Sequence, residues 1–194
     1  LTGRPAASTL ESASSKRPGR SPQAFAITRF AEAYITFQPK EKDVMKVLIA
    51  YDSRTGNTEK MARYMAEGVR MSGHDVITKK ITEIQNAGDL AGYDGYIFGS
   101  PTYHRDMTQS MKTFLFLAHK ANLQGKVGGA FGSYTHSGDA PKFIFDTMAY
   151  VFHMNMTDLG YFNLKEGMMD KAEGMKACQD YGKYVGEKLS QTQG

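Results

Sequence analysis

The feature that most constrains this chain is a change of hydrophobic period that recurs along it. From Lys46 onward, short branched apolar runs give way to longer segments with apolar residues three and four apart, and the runs then return. "KVLIAY" is apolar on both sides of its alternation, as a strand covered on two faces requires. "TEKMARYMAEGVRMSG" puts Met61, Ala62, Met65, Ala66 and Val69 on one helical stripe, with Gly73 as its stop. "HDVITKK", "DGYIFGS", "KVGGAFGS" and "TDLGYF" are the further expected strands. "MTQSMKTFLFLAHKA", "APKFIFDTMAYVFHM" and "MDKAEGMKACQDYGKYVGEKL" are the further expected helices. Such alternation predicts an α/β domain with a parallel sheet between two helical layers. Right-handed crossovers leave few topologies for it. In these sheets ligands bind beyond the carboxyl ends of the strands, where the strand order reverses. The search for function therefore narrows to three strand-to-helix corners, after Tyr51, after Ser100 and after Ser133.

The alternation does not extend upstream, and the chain divides into an extension, 1–44, and a domain, 45–194. The first 24 residues are rich in Ser, Ala, Pro, Gly and Arg and have few bulky apolar groups. Such a segment buries too little surface to offset its ordering entropy, so residues 1–44 are expected to be disordered or loosely docked. Phe25–Phe37 is apolar enough for a short strand or helix. Glu11 is the lone acid among the first 24 residues, a bias shared with organelle transit peptides. Met45, directly before the first strand, would also make a natural start. Seven Lys or Arg against four Asp or Glu place +3 of the chain's +4 net charge before residue 45. The basic character is therefore a property of the extension, and no nucleic-acid surface is expected on the domain. No stretch of ~20 uncharged apolar residues is present to span a bilayer. The single cysteine, Cys178, excludes a disulfide framework and a thiolate metal cage. A cytoplasmic setting fits that usage.

The first corner is "SRTGNT". The hydroxyls of Ser53, Thr55 and Thr58 and successive backbone N–H groups can wrap an anion at the positive end of the next helix. Gly56 allows a tight turn. No lysine follows it, so this is not a nucleoside-triphosphate loop, and no G-x-G-x-x-G dinucleotide fingerprint occurs. The same residues also suit a plain turn with Asn57 or Thr58 as N-cap. The second corner, "SPTYHRDMT", carries Tyr103 and His104 on a loop, where an aromatic can stack on a flat ring. It equally suits a surface loop with Asp106 or Thr108 capping a helix. The third, "GSYTHSGDAP", again offers small donors, with Tyr134 and His136. Together the three could hold a phosphorylated planar ligand, its phosphate at the first corner and its ring between the other two. The five histidines lack metal-ligand spacing, and no G-x-S-x-G nucleophile elbow is present.

"VLIAYDSRTGNTEKMA", "DGYIFGSPTYHRDM" and "GAFGSYTHSGDAP", in this order and spacing, resemble the flavodoxin-like FMN-binding family. They look closest to the flavodoxin domains of flavo-diiron proteins and to stand-alone relatives, over residues 45–190. The resemblance implies a flavodoxin-like three-layer sandwich with a five-stranded parallel sheet of order 2-1-3-4-5 and FMN at its carboxyl edge. It implies that Ser53, Arg54, Thr55, Gly56, Asn57 and Thr58 hold the FMN phosphate. Pro101, Thr102, Tyr103, His104 and Arg105 would line one side of the isoalloxazine. Ser133, Tyr134, Thr135, His136, Gly138 and Asp139 would line the other. The flavo-diiron relatives commonly have Gly-Trp where this chain has Thr135-His136. His136 or Tyr134 then takes the stacking place, or the ring is more exposed. The second loop has no glycine between Pro101 and Met107. No catalytic residue and no metal are implied, and the diiron region is missing from the chain. The implied function is electron transfer between a reductase or ferredoxin and a redox partner, by a monomer or homodimer. A flavodoxin-like NAD(P)H:quinone oxidoreductase is the alternative, because "SPTYHRDMTQSMKTFL" also resembles that family. A flavin-free partner-binding module is a third reading.

Overall fold

A computed structural model describes residues 43–192. The expectations for residues 1–42, including Phe25–Phe37, lie outside the described residues. The sheet begins with β1 (Lys46–Tyr51), whose Val47, Leu48, Ile49 and Ala50 are fully buried. It is followed by α1 (Asn57–Met71), β2 (Asp75–Lys80), β3 (Gly95–Gly99), α2 (Gln109–Ala118), β4 (Val127–Tyr134) and α3 (Ala140–Asp146). Two short strands, β5 (Asn155–Met156) and β6 (Phe162–Lys165), precede the last helix, α4 (Ala172–Gln191). All pairings are parallel, in the order β2-β1-β3-β4-β5, with β6 also on β4. The 2-1-3-4-5 topology is as expected. The order reverses between β1 and β3, whose carboxyl ends lie side by side, Tyr51 opposite Gly99.

Alternation along the strands divides the core. Leu48, Ala50 and Phe98 face α2, α3 and the turn after α3, meeting Met111, Phe114, Ile144 and Met148. Val47, Ile49, Ile97 and Phe131 face α1 and α4, meeting Met61, Met65, Val69, Cys178 and Val185. Each large side chain fully removed from water contributes roughly 1.5–3 kcal/mol. The methionine-rich stripe of α1 is thus core, as its spacing predicts.

Two expectations need correction. The fifth strand was expected over Thr157–Phe162, but Thr157–Tyr161 is a break, and the edge strand is divided into β5 and β6 around it. Gly160 sits at φ 73 and its N–H donates to the Thr157 carbonyl, a turn that interrupts the ladder. The Tyr181 hydroxyl of α4 fills the gap: it accepts from Ala130 N–H at 3.2 Å and lies 2.8 Å from the Gly160 carbonyl, to which it donates. The third helix does not run unbroken to Met154. It widens to a π turn over Thr147–Val151, where the Thr147 hydroxyl donates to the Phe143 carbonyl at 2.8 Å and competes for the helical ladder. The glycine-rich strand β4 is approached closely by other parts of the chain. A Cβ on Gly132 would lie 2.3 Å from the Ser100 carbonyl and 2.7 Å from the Pro141 ring. That close approach sets the second and third corners against each other.

Candidate functional site

At the first corner the chain leaves β1 through Asp52 and enters α1 after Gly56, at φ 90. Only glycine takes that left-handed conformation without cost. The Ser53 hydroxyl accepts from Gly56 N–H at 3.1 Å and folds the loop back on itself. Gly56 is the N-cap residue, and no side chain caps the helix. The simple capped turn with Asn57 or Thr58 as cap is therefore not what forms. The first-turn N–H groups are left to an outside acceptor, at the end where the helix dipole is positive. Thr58 has a different place: it is buried, and its hydroxyl lies 3.1 Å from that of buried Ser133. This bond ties the first corner to the third. Glu59, in the same helical turn, would oppose an anion. Lys80 hydrogen-bonds it at 3.2 Å, Arg63 adds a second contact at 2.7 Å, and together they hold its carboxyl below the usual range.

The second corner is a tight reversal. Tyr103 and Asp106 exchange two backbone hydrogen bonds of 2.9 Å across His104 and Arg105. Both central residues have positive φ, 51 and 62, the pattern of a type I′ turn. Glycine or asparagine normally takes these places, so the tip carries local strain. The capping alternative also holds here: Thr108 accepts from Met111 N–H at 3.2 Å. Its hydroxyl and that of Ser110 both donate to Asp52 at 2.5 Å, which fixes the start of α2 against the first corner. The guanidinium of Arg54 lies over the Tyr103 ring, 5.0 Å from its centroid. One face of the expected stacking residue is therefore taken by a cation.

The third corner runs from Ser133 to Asp139. Thr102 N–H donates to the Ser133 carbonyl at 2.9 Å, and Ala140 N–H donates to the Thr102 hydroxyl at 3.3 Å. Asn163 of β6 donates to the Gly138 carbonyl at 2.6 Å. Two acceptors here, Asp139 Oδ2 and Asn163 Oδ1, are shut from water without a hydrogen bond. Arg105 Nε lies 3.5 Å from Asp139 Oδ2, near enough for charge attraction but not aligned as a bond.

All the residues singled out from the sequence thus converge on the carboxyl edge of the sheet. Pro101 and Ser133 form its buried floor, and Thr55, His104, Arg105, Thr135 and His136 are its exposed tips. Sequence reasoning missed Asp52 and Asn163, and it gave Thr108 only as a helix cap, without its bond to Asp52. The aspartate directly after β1 was the available signal for the first. Asn163 could not be found, because its strand was misplaced.

A sequence model of the flavodoxin domain matches residues 48–159. The chain belongs to the flavodoxin family. A flavodoxin from Clostridium saccharobutylicum is 36% identical over 89 residues, 46% of this chain and 56% of that protein, so the match spans just over half of the relative. An NAD(P)H dehydrogenase (quinone) from Cupriavidus metallidurans is 32% identical over 148 residues, 64% of this chain and 74% of the relative. Among solved structures, a flavodoxin from the domain Archaea superposes with a TM-score of 0.68 at 28% identity, covering 75% of this chain and 99% of that one. The flavodiiron core from Synechocystis gives the same TM-score at 22% identity over 88% of this chain and 42% of its own, a likeness of fold. The flavodoxin family binds FMN. The donors fit that group: an uncapped helix end flanked by hydroxyls suits a phosphate, and the spare acceptors of the third corner suit a ring that carries an N–H edge. Among the described residues there is no cluster of metal-binding side chains and no helix long and apolar enough to cross a membrane.

Proposed function

We propose that this flavodoxin-type protein is an FMN-dependent electron carrier. It takes electrons from a reductase or ferredoxin and delivers them to a redox partner in the cytoplasm, as a monomer or homodimer. The observation that carries this reading is the side-chain-free N-terminus of α1, set beside Ser53 and Thr55 at the switch point of the sheet. FMN, when bound, supplies the one- and two-electron chemistry, and the chain supplies binding, orientation and electrostatics. In this reading the N–H groups of Asn57 and Thr58 and the hydroxyls of Ser53 and Thr55 hold the phosphate. Pro101 to Arg105 line one side of the ring and Ser133 to Asp139 the other. His136 and Tyr134 are the candidates for stacking, because one face of Tyr103 is occupied by Arg54.

A second reading is favoured by one specific observation, the similarity to the quinone-dependent dehydrogenase of Cupriavidus. There, His104, His136 or Tyr103 would border a quinone or nicotinamide over an exposed ring. One assay separates the two. FMN is added to the purified full chain, and NADPH oxidation is followed with a small quinone, with and without an added flavodoxin reductase. The carrier reading expects turnover only with the reductase. Turnover on NADPH alone would establish the enzyme instead. A protein that takes up no FMN would defeat both.

A further inference from the structure

The three corners expose one kind of chemistry at their tips. The exposed residues are Arg54, Thr55, His104, Arg105, Thr135 and His136, two guanidiniums, two imidazoles and two hydroxyls. The acids of the same corners are each engaged by a donor of the chain. Asp52 accepts from Thr108 and Ser110, Asp106 is paired with Lys112, and Asp139 lies against Arg105. At these three corners the exposed tips are donors, and each carboxylate already has a donor of the chain beside it.

Each of the two cations has one contact within the corners. Arg54 Cζ lies over the ring of Tyr103 at 5.0 Å from its centroid, a cation–π contact that uses none of its N–H donors for a hydrogen bond. Arg105 is held at its backbone and drawn toward Asp139 at the base of its guanidinium. Its backbone sits in the two-residue reversal, and its Nε faces Asp139, so the contact uses the base of the fork and leaves the two terminal nitrogens. The Arg105 side chain is 82% exposed, and among the described residues neither guanidinium has another carboxylate within 4 Å. A terminal guanidinium fork matches a carboxylate in bidentate fashion.

We propose that the carboxyl edge docks a redox protein with an acidic surface, and that Arg54 and Arg105 are its anchoring contacts. This rests on the carrier reading for its purpose but not for its geometry. The domain's net charge is near zero, +1 over residues 45–194, so long-range attraction from the whole molecule is small. Selectivity comes from the few charges at the rim, which set encounter rate and orientation when partners carry complementary patches. A basic partner would face two exposed guanidiniums at the point of closest approach.

The test uses the full chain, ¹⁵N-labelled and saturated with FMN. It is titrated with a small acidic [2Fe–2S] ferredoxin and, separately, with the basic protein cytochrome c, while amide shifts are recorded. The ferredoxin should shift residues around 54, 104–105 and 136. Its Kd should rise about tenfold or more between roughly 20 and 200 mM salt, because exposed charges are screened over a Debye length of about 10 Å. Arg54→Gln with Arg105→Gln should weaken it at least tenfold at low salt and flatten the salt dependence. Shifts confined to another face, equal binding of cytochrome c at the same residues, or no effect of the double substitution would overturn the proposal. Electron transfer, measured in parallel, keeps the two readings apart. Binding at the tips without transfer to any protein acceptor defeats the carrier reading alone. Transfer that is indifferent to salt and to the two arginines defeats the docking proposal alone.

Discussion

Thr55→Val tests whether the first corner is a phosphate holder. Valine keeps the branched shape and volume and removes only the hydroxyl. Thr55 is exposed and makes no side-chain hydrogen bond to another described residue, so the substitution disturbs little of the fold. A hydrogen bond to a charged group is worth roughly 1.5–3 kcal/mol. Since Thr55 is open to water, the lower part of that range applies, and about 1.4 kcal/mol is tenfold in affinity. FMN binding should therefore weaken about 10- to 30-fold. Riboflavin, the same ring without the phosphate, should lose less than about twofold. Quenching of flavin fluorescence on titration with apoprotein measures both constants, and their ratio is the decisive quantity. Equal losses for the two flavins, or no loss for FMN, would refute the assignment. Thr58 is the poorer choice for this test, because Thr58→Val also breaks the bond to Ser133 that joins the first and third corners. Thr58→Ser, which keeps the hydroxyl, should retain most of the FMN affinity.

Three further outcomes are expected. Tyr181→Phe removes the hydroxyl that serves Ala130 N–H at the break in the edge strand. A buried donor left unpaired costs about 1–3 kcal/mol, which should appear as a lowered urea midpoint with an unchanged slope; a loss under about 0.5 kcal/mol would show that the bond contributes nothing. His104→Gly should raise the melting temperature of the apoprotein by a degree or more, because glycine relieves a positive φ that costs histidine about 1 kcal/mol, whereas a lower temperature would mean the tip is unstrained. Alkaline stability should depend on Tyr96, whose phenol donates to the Leu90 carbonyl at 2.6 Å and is pushed by burial up to about 12. The folded chain keeps this proton where the unfolded chain loses it near pH 10, so the contribution is complete below pH 10 and is lost as pH rises toward 12; Tyr96→Phe should flatten that fall, and an unaltered slope would refute the role.

The parts of this molecule that could be read in advance are those where residue type and period agree. β1 and β3 are continuous apolar runs buried on both faces, and α1 shows its stripe plainly. The three corners were found because small hydroxyl residues stand directly after those strands. The edge strand was misplaced because Thr157–Phe162 has suitable residue types, while the deciding interactions are a turn at Gly160 and the hydroxyl of Tyr181, some 20 residues further on. The reversal at His104-Arg105 was equally hidden. Neither residue advertises positive φ, and the conformation is imposed by the paired backbones of Tyr103 and Asp106. The cap at Gly56 was ambiguous for another reason. Whether Thr58 turns back to its own helix or away to Ser133 depends on a residue 75 positions distant.

The bonds that cross between the corners have a kinetic consequence. Thr58 to Ser133, Thr102 to Ser133, Ala140 to Thr102 and Asp52 to Thr108 are all made within the chain itself. A ligand entering this edge has little loop ordering to wait for. Its observed association rate should rise linearly with concentration, with no plateau from a slow rearrangement, and differences in affinity among variants of the tips should then appear mainly as differences in how long the ligand stays.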